Sequence, residues 1–139
     1  MSRQDAMKQF LQGVADDQAG YRALLDLLAQ QFQAAIHHQQ ERLGEIAAAI
    51  GTLVDTLEAR RARRVELATR LTGPQPAIER VFALLRPESR TRVESDWKAL
   101  EQMVLAAKAA GKRNGELLAE QYTIMQRVLH GEDQTYEPA

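Results

Sequence analysis

Few side chains in this chain are of the kind that make or break bonds. Histidine occurs three times, at His37, His38 and His130. On a helix the adjacent pair points about 100° apart, so it cannot close on one ion. Glu41, four residues after His37, can share its face, but a zinc site needs three or four ligands and this pair supplies two. Gly111-Lys-Arg-Asn-Gly115 lacks the spacing of a phosphate-binding loop, and no strand signal precedes it. An enzyme needs convergent groups: a nucleophile beside a base, or carboxylates placed to share a proton. The sequence shows no such pattern, and we expect no catalytic site, no metal and no cofactor.

The remaining polar candidates bind rather than react. The run from Glu58 to Glu66 holds Arg60, Arg61, Arg63 and Arg64, and clustered arginines can neutralise phosphates. Asp55, Glu58 and Glu66 dilute that charge, and no aromatic residue interleaves for base stacking. A solvated, partly paired helix face is the expectation, with no nucleic acid bound. Trp97, the only tryptophan, falls on an apolar stripe and reads as a core anchor. Asn114 falls on the same stripe, either as a buried polar group that fixes register or as a partner contact. Tyr136 stands in a polar segment with no local core to join, where it can serve as a short recognition element.

The stripe itself belongs to a long helix. Val93, Trp97, Leu100, Val104, Ala107, Gly111, Asn114 and Leu118 follow one another by steps of three and four, and after a slip Tyr122, Met125 and Leu129 continue the row. Gly111 and Gly115 each cost such a helix about 1 kcal/mol relative to alanine, so they suggest close backbone approach. Leu117, Ile124 and Val128 add a second apolar row. One partner helix cannot cover a face that wide, so something else is expected to lie on it.

The elements that carry these residues are all helical. Helices are expected over about 4–37, 42–72, 76–86 and 88–130. Gly13 and Gly20, flanking Asp16-Asp17, are expected to weaken the first, whose robust part starts near Asp17. A turn is placed at His37-His38-Gln39-Gln40. Gly73-Pro74 ends the second helix, since glycine suits the position after a helix and proline prevents continuation. Pro76 suits the first position of the short third helix, and Pro87 stops it. About 40 residues of the last helix span about 60 Å, too long to fold back, so it must pack along the first two. The fold class is therefore all-α: an elongated antiparallel helical bundle with coiled-coil character and a long C-terminal helix. Residues 1–131 form a single helical domain, and 132–139 a flexible tail.

Composition agrees. Of 139 residues, 45% are hydrophobic but only 5% aromatic, which favours helices over strands. Cysteine is absent and the net charge is −1, consistent with a reducing compartment and with no general attraction to nucleic acid or anionic lipid. The N-terminal MSRQDAMKQF has no apolar run of the signal-peptide kind. No segment approaches the roughly 18 apolar residues of a membrane span. A cytoplasmic protein with no membrane insertion is expected.

Trp97 and Leu100, the block Asn114-Gly115-Glu116-Leu117-Leu118, the close at Leu129-His130-Gly131 and the tyrosine at Tyr136 together resemble the flagellar type III export chaperones of the FlgN family. The upstream hairpin, arginine cluster and short linker helix agree with that resemblance, which covers nearly the whole chain. It implies a chaperone that binds the C-terminal helices of hook-associated (hook–filament junction) proteins, prevents their premature assembly and delivers them to the export gate. The client-binding residues it implies are Asn114, Gly115, Leu117, Leu118, Gln121, Ile124, Met125, Val128 and Leu129. Tyr136 would dock to the cytoplasmic domain of the gate, although Thr135 and Glu137 replace the leucine and glycine usual beside that tyrosine. The alternative is a structural coiled-coil protein, a homodimer in its simplest form, that self-associates through the C-terminal apolar face.

Overall fold

The computed structural model describes the backbone of residues 1–136 and the side chains of residues 1–131. Four helices follow in order: α1 (Arg3–Ile36), α2 (Gln40–Thr72), α3 (Ile78–Ala83) and α4 (Pro87–Tyr136). The described residues contain no strand.

Local chemistry sets the boundaries. Ser2 caps α1: its hydroxyl accepts from the Asp5 amide at 3.1 Å, while the Asp5 carboxylate accepts from the Ser2 amide at 3.3 Å. The helix then runs unbroken through Gly13 and Gly20, where the sequence suggested weakening. It ends in a Schellman turn. The Gln39 amide donates to the Ala34 carbonyl at 2.9 Å and the His38 amide to Ala35 at 3.2 Å, with His38 left-handed at φ 54. At the other end of the hairpin, Gly73 stops α2 with φ 90, a conformation that favours glycine.

Two expectations about the connector need correcting. α3 is shorter than 76–86: Ala77 is extended and the helix starts at Ile78, so Pro76 lies outside it. Its C-terminal carbonyls are taken up by Arg90, whose guanidinium donates to Phe82, Ala83 and Leu85 at 3.0–3.1 Å. Pro87 opens α4 rather than merely stopping α3. α4 also runs past Gly131 to Tyr136, six residues beyond the expected end at His130.

α1 is the spine of the molecule. α2 returns antiparallel along one flank and α4 runs parallel to α1 along the other, while no Cα atom of α2 comes within 8 Å of one in α4 among the described residues. Two core clusters lie along α1. Near its start, Phe10 and Val14 meet Leu67, Leu71, Val81, Phe82 and Leu100, with Trp97 packed at the edge. Phe10, Phe82 and Trp97 form a chain of edge-on rings, with centroids 6.5 and 6.1 Å apart. Further along, Leu24 and Leu28 meet Leu57 and Ala107. At 1.5 Å per residue, the 50 residues of α4 span about 75 Å against about 50 Å for α1.

Candidate functional site

Two polar residues face inward along α1. Asn114 is 1% exposed. Its amide donates to the Leu28 carbonyl at 2.8 Å and to Gln31 Oε1 at 2.9 Å, and its oxygen accepts from Arg113 at 3.2 Å. All of its hydrogen-bonding partners lie within the chain. Asn114 is therefore a buried polar group satisfied within the bundle, and it lies off the exposed face, apart from the other candidate contacts. Asp17, the second buried residue, is ion-paired to Arg64, with Arg60 3.9 Å from its other oxygen. Arg64 also lies 5.2 Å over the Trp97 ring, so one guanidinium joins α1, α2 and α4. Burial pushes the Asp17 carboxyl above its ordinary value, against the lowering pull of Arg64 and then Arg60. Arg63 pairs with Glu66 and Gln9, each about 3 Å away. Thus Arg60 and Arg64 are engaged at the buried Asp17, Arg63 is paired on the surface, and Arg61 is exposed.

The exposed surface that matters is on α4. The Gln121 amide donates to the Ala35 carbonyl at 3.0 Å, and α1 ends one residue later. Continuing along the axis, the 15 residues after Gln121, up to Tyr136, carry α4 about 22 Å beyond the α1–α2 turn. Residues 122–131 of this arm are all exposed. They include Tyr122, Ile124, Met125, Val128 and Leu129, with 49–65% of each accessible. Contiguous apolar surface of that kind marks an interaction site in a folded protein. Where the arm leaves the bundle, Leu118, Gln121, Tyr122, Ile124, Met125 and Val128 form a groove of about 710 Å³ with His38 and Gln40 of the turn. Its chemistry is that of an apolar trough with a polar lip, suited to the ridge of an amphipathic helix.

The structure thus brings together Leu118, Gln121, Ile124, Met125 and Val128 of the residues expected to bind a client. Leu117 is half-buried beside them and Leu129 continues the exposed face. Gly115 is exposed upstream, and a Cβ added there or at Gly111 would meet nothing within 4 Å. Close approach within the chain occurs instead at Gly20, where a Cβ would stand 2.8 Å from Leu57 Cδ2. The side chain of Tyr136 lies outside the described residues. Sequence reading missed Tyr122, His38 and Gln40 as lining. Tyr122 carried a signal, since the apolar stripe slips there and turns its ring toward the trough.

A family model described as "FlgN protein" matches residues 1–131, nearly the whole chain. The chain belongs to the FlgN family. No curated protein and no solved structure matches it. FlgN-family proteins are flagellar export chaperones that bind flagellar export substrates. Occupying an interface is work that needs no reacting group, and an exposed apolar trough beside a rigid bundle is suited to it. No helix among the described residues is long and apolar enough to cross a membrane.

Proposed function

We propose that this FlgN-family chain is a cytoplasmic chaperone for hook–filament junction proteins, and that it holds their C-terminal helices on the arm of α4. The observation that carries this reading is the arm itself: an apolar face projected past the hairpin, exposed in the free protein and continuous with the trough at the α1–α2 turn. Leu117, Leu118, Gln121, Ile124, Met125, Val128 and Leu129 present that face, and Gly115 lets a partner backbone approach without obstruction. Met125 supplies adaptable packing. The client helix contributes the apolar residues that would otherwise drive its own assembly, so occupancy alone blocks premature association. Delivery follows when Tyr136 docks to the cytoplasmic domain of the export gate.

Calorimetric titration with the C-terminal helical segment of each junction protein tests the reading. One-to-one binding is expected, abolished by Leu118→Asp with Met125→Asp, and retained by Tyr136→Ala, which loses binding to the gate domain instead. Folded wild type that binds none of these segments, and self-associates through α4, would sink it in favour of a structural coiled coil.

A further inference from the structure

Asn114 is the only asparagine in the chain, and Gly115 follows it. Asparagine before glycine is the pair most prone to spontaneous deamidation, because glycine carries no side chain to hinder attack by its backbone nitrogen. That nitrogen attacks the side-chain carbonyl carbon of the asparagine, ammonia leaves, and a cyclic imide forms. Water then opens the ring on one side or the other. The products are aspartate, or isoaspartate, in which the main chain runs through the side-chain carbon. Water is the sole co-reactant, and nothing is oxidised or reduced.

In the folded protein both reacting groups are held. Gly115 lies inside α4, where its amide belongs to the helical ladder and reaches back four residues to the Gly111 carbonyl. The Asn114 side chain is buried, and its nitrogen donates to the Leu28 carbonyl at 2.8 Å and to Gln31 Oε1 at 2.9 Å. Arg113 holds its oxygen at 3.2 Å. Ring closure has to break these bonds, turn the backbone out of its helical angles and admit water to a buried position. Local opening of α4 is therefore a precondition of the reaction.

We infer that Asn114-Gly115 is a self-modification site gated by the docking of α4 on α1: intact while α4 is docked, converted when it opens, and poorly able to close again once converted. Aspartate at this position sets a carboxylate oxygen against the Leu28 carbonyl oxygen, where the amide now donates. Gln31 can turn its amide to meet the new charge, but a backbone carbonyl cannot, and a buried acceptor facing an acceptor is costly. Isoaspartate lengthens the main chain by a methylene and interrupts the ladder just ahead of Leu117. Either product loosens the last ties of α4 before the arm begins, so a chain that has stood open is marked irreversibly. The inference holds whether or not the arm carries a client.

The test incubates the full chain at mildly alkaline pH, with and without urea, and follows the peptide containing residue 114 by mass spectrometry and by enzymatic methylation of isoaspartate. Conversion is expected in urea, and about a hundredfold or more slower in the folded protein. Asn114→Gln, whose longer side chain closes a ring far less readily, should resist conversion in both. Gln31→Ala removes one contact of the amide at a half-buried position. It should convert several-fold faster than wild type when folded and no faster in urea. The product, isolated and refolded, should exchange amide hydrogens between Ala107 and Gln121 faster than the unreacted chain. Equal rates with and without urea, or no conversion in urea, overturn the gated site. A product whose α4 exchanges as slowly as the unreacted chain overturns the irreversible marking.

Discussion

The Arg64 guanidinium of α2 holds the Asp17 carboxylate of α1 in an ion pair of which only 3% of the acid side chain is exposed. The pair sits between the two apolar clusters, with Arg64 covering Trp97 on its other side. Removing one member of a buried pair strands its partner, at a cost of about 3–5 kcal/mol. Arg64→Leu keeps apolar cover on Trp97 but leaves Asp17 with Arg60 alone at 3.9 Å. We expect it to destabilise by that amount in urea unfolding, and the double change with Asp17→Asn to recover a substantial part. A double variant no better than Arg64→Leu would show that the two residues do not act as a pair.

The same acid gives a pH signature. Burial raises the folded-state pKa of Asp17 above its ordinary 3.8. The folded protein therefore holds a proton where the unfolded chain has released it. The stability Asp17 contributes is full below about pH 3.8 and falls as pH rises through the folded value. Carboxylates common to both proteins cancel when wild type is compared with Asp17→Asn. The stability of wild type relative to that variant should thus decrease from pH 3.5 upward, measured by urea midpoints across the range. A relative stability that rises with pH would show that the arginines outweigh desolvation.

These charges were partly legible in the sequence. Phe10, Val14, Asp17, Tyr21, Leu24 and Leu28 keep one helical stripe, and so do Leu57, Arg60, Arg64, Leu67 and Leu71. An acid and two arginines thus hold core positions on helices that must meet, a complementarity invisible while each helix is read alone. The α4 stripe, both hairpin ends and the apolar arm were all readable from periodicity and punctuation. The inward turn of Asn114 was not, because a polar residue on a stripe fits either a register contact or a partner. Helix length past Gly131 also escaped, since one glycine lowers helix propensity without ending a helix.

Glycine substitutions should separate by place. Gly20→Ala gains helix propensity worth about 1 kcal/mol, but its Cβ would stand 2.8 Å from Leu57 Cδ2 and 3.1 Å from Arg60 Nη1. Leu57 is itself buried, and overpacking of this kind costs about 1–3 kcal/mol. Set against that gain, the net change runs from neutral to a loss of about 2 kcal/mol, depending on how far the Leu57 and Arg60 side-chain ends can shift. Gly111→Ala and Gly115→Ala meet nothing within 4 Å and should each stabilise by up to about 1 kcal/mol. If a client backbone lies close over Gly115, Gly115→Ala will also bind more weakly, so thermal unfolding and titration should move in opposite directions.

Asn114→Leu asks what the buried amide contributes. It removes two donated bonds, to Leu28 and Gln31, while Gln31 and Arg113 are accessible enough to turn to water. The expected cost is modest, about 1–2 kcal/mol. The larger consequence concerns register. Without Asn114, α4 presents an uninterrupted apolar row from Leu100 through Leu118, which packs equally well against α1 of another molecule. Analytical ultracentrifugation should therefore show the variant forming oligomers at concentrations where wild type does not. A variant as uniform in size as wild type would leave Asn114 with a stability role alone.

Stability and binding divide most cleanly at Gln121. Up to that residue α4 is tied to α1, through Asn114 at Leu28 and Gln121 at Ala35. Residues 122–131 are all exposed and belong to neither core cluster. A chain ending at Gln121 retains every residue that is buried among the described ones, so its melting temperature should stay within a few degrees of the full chain, roughly the shift that 1 kcal/mol produces in a domain of this size. It loses Tyr122, Ile124, Met125, Val128 and Leu129, which are most of the exposed apolar face. Junction-protein helices should accordingly fail to bind it, although it folds. A truncated chain that melts far below the full one would mean that the arm packs onto the bundle in solution, and its apolar residues would then belong to the core rather than to a client.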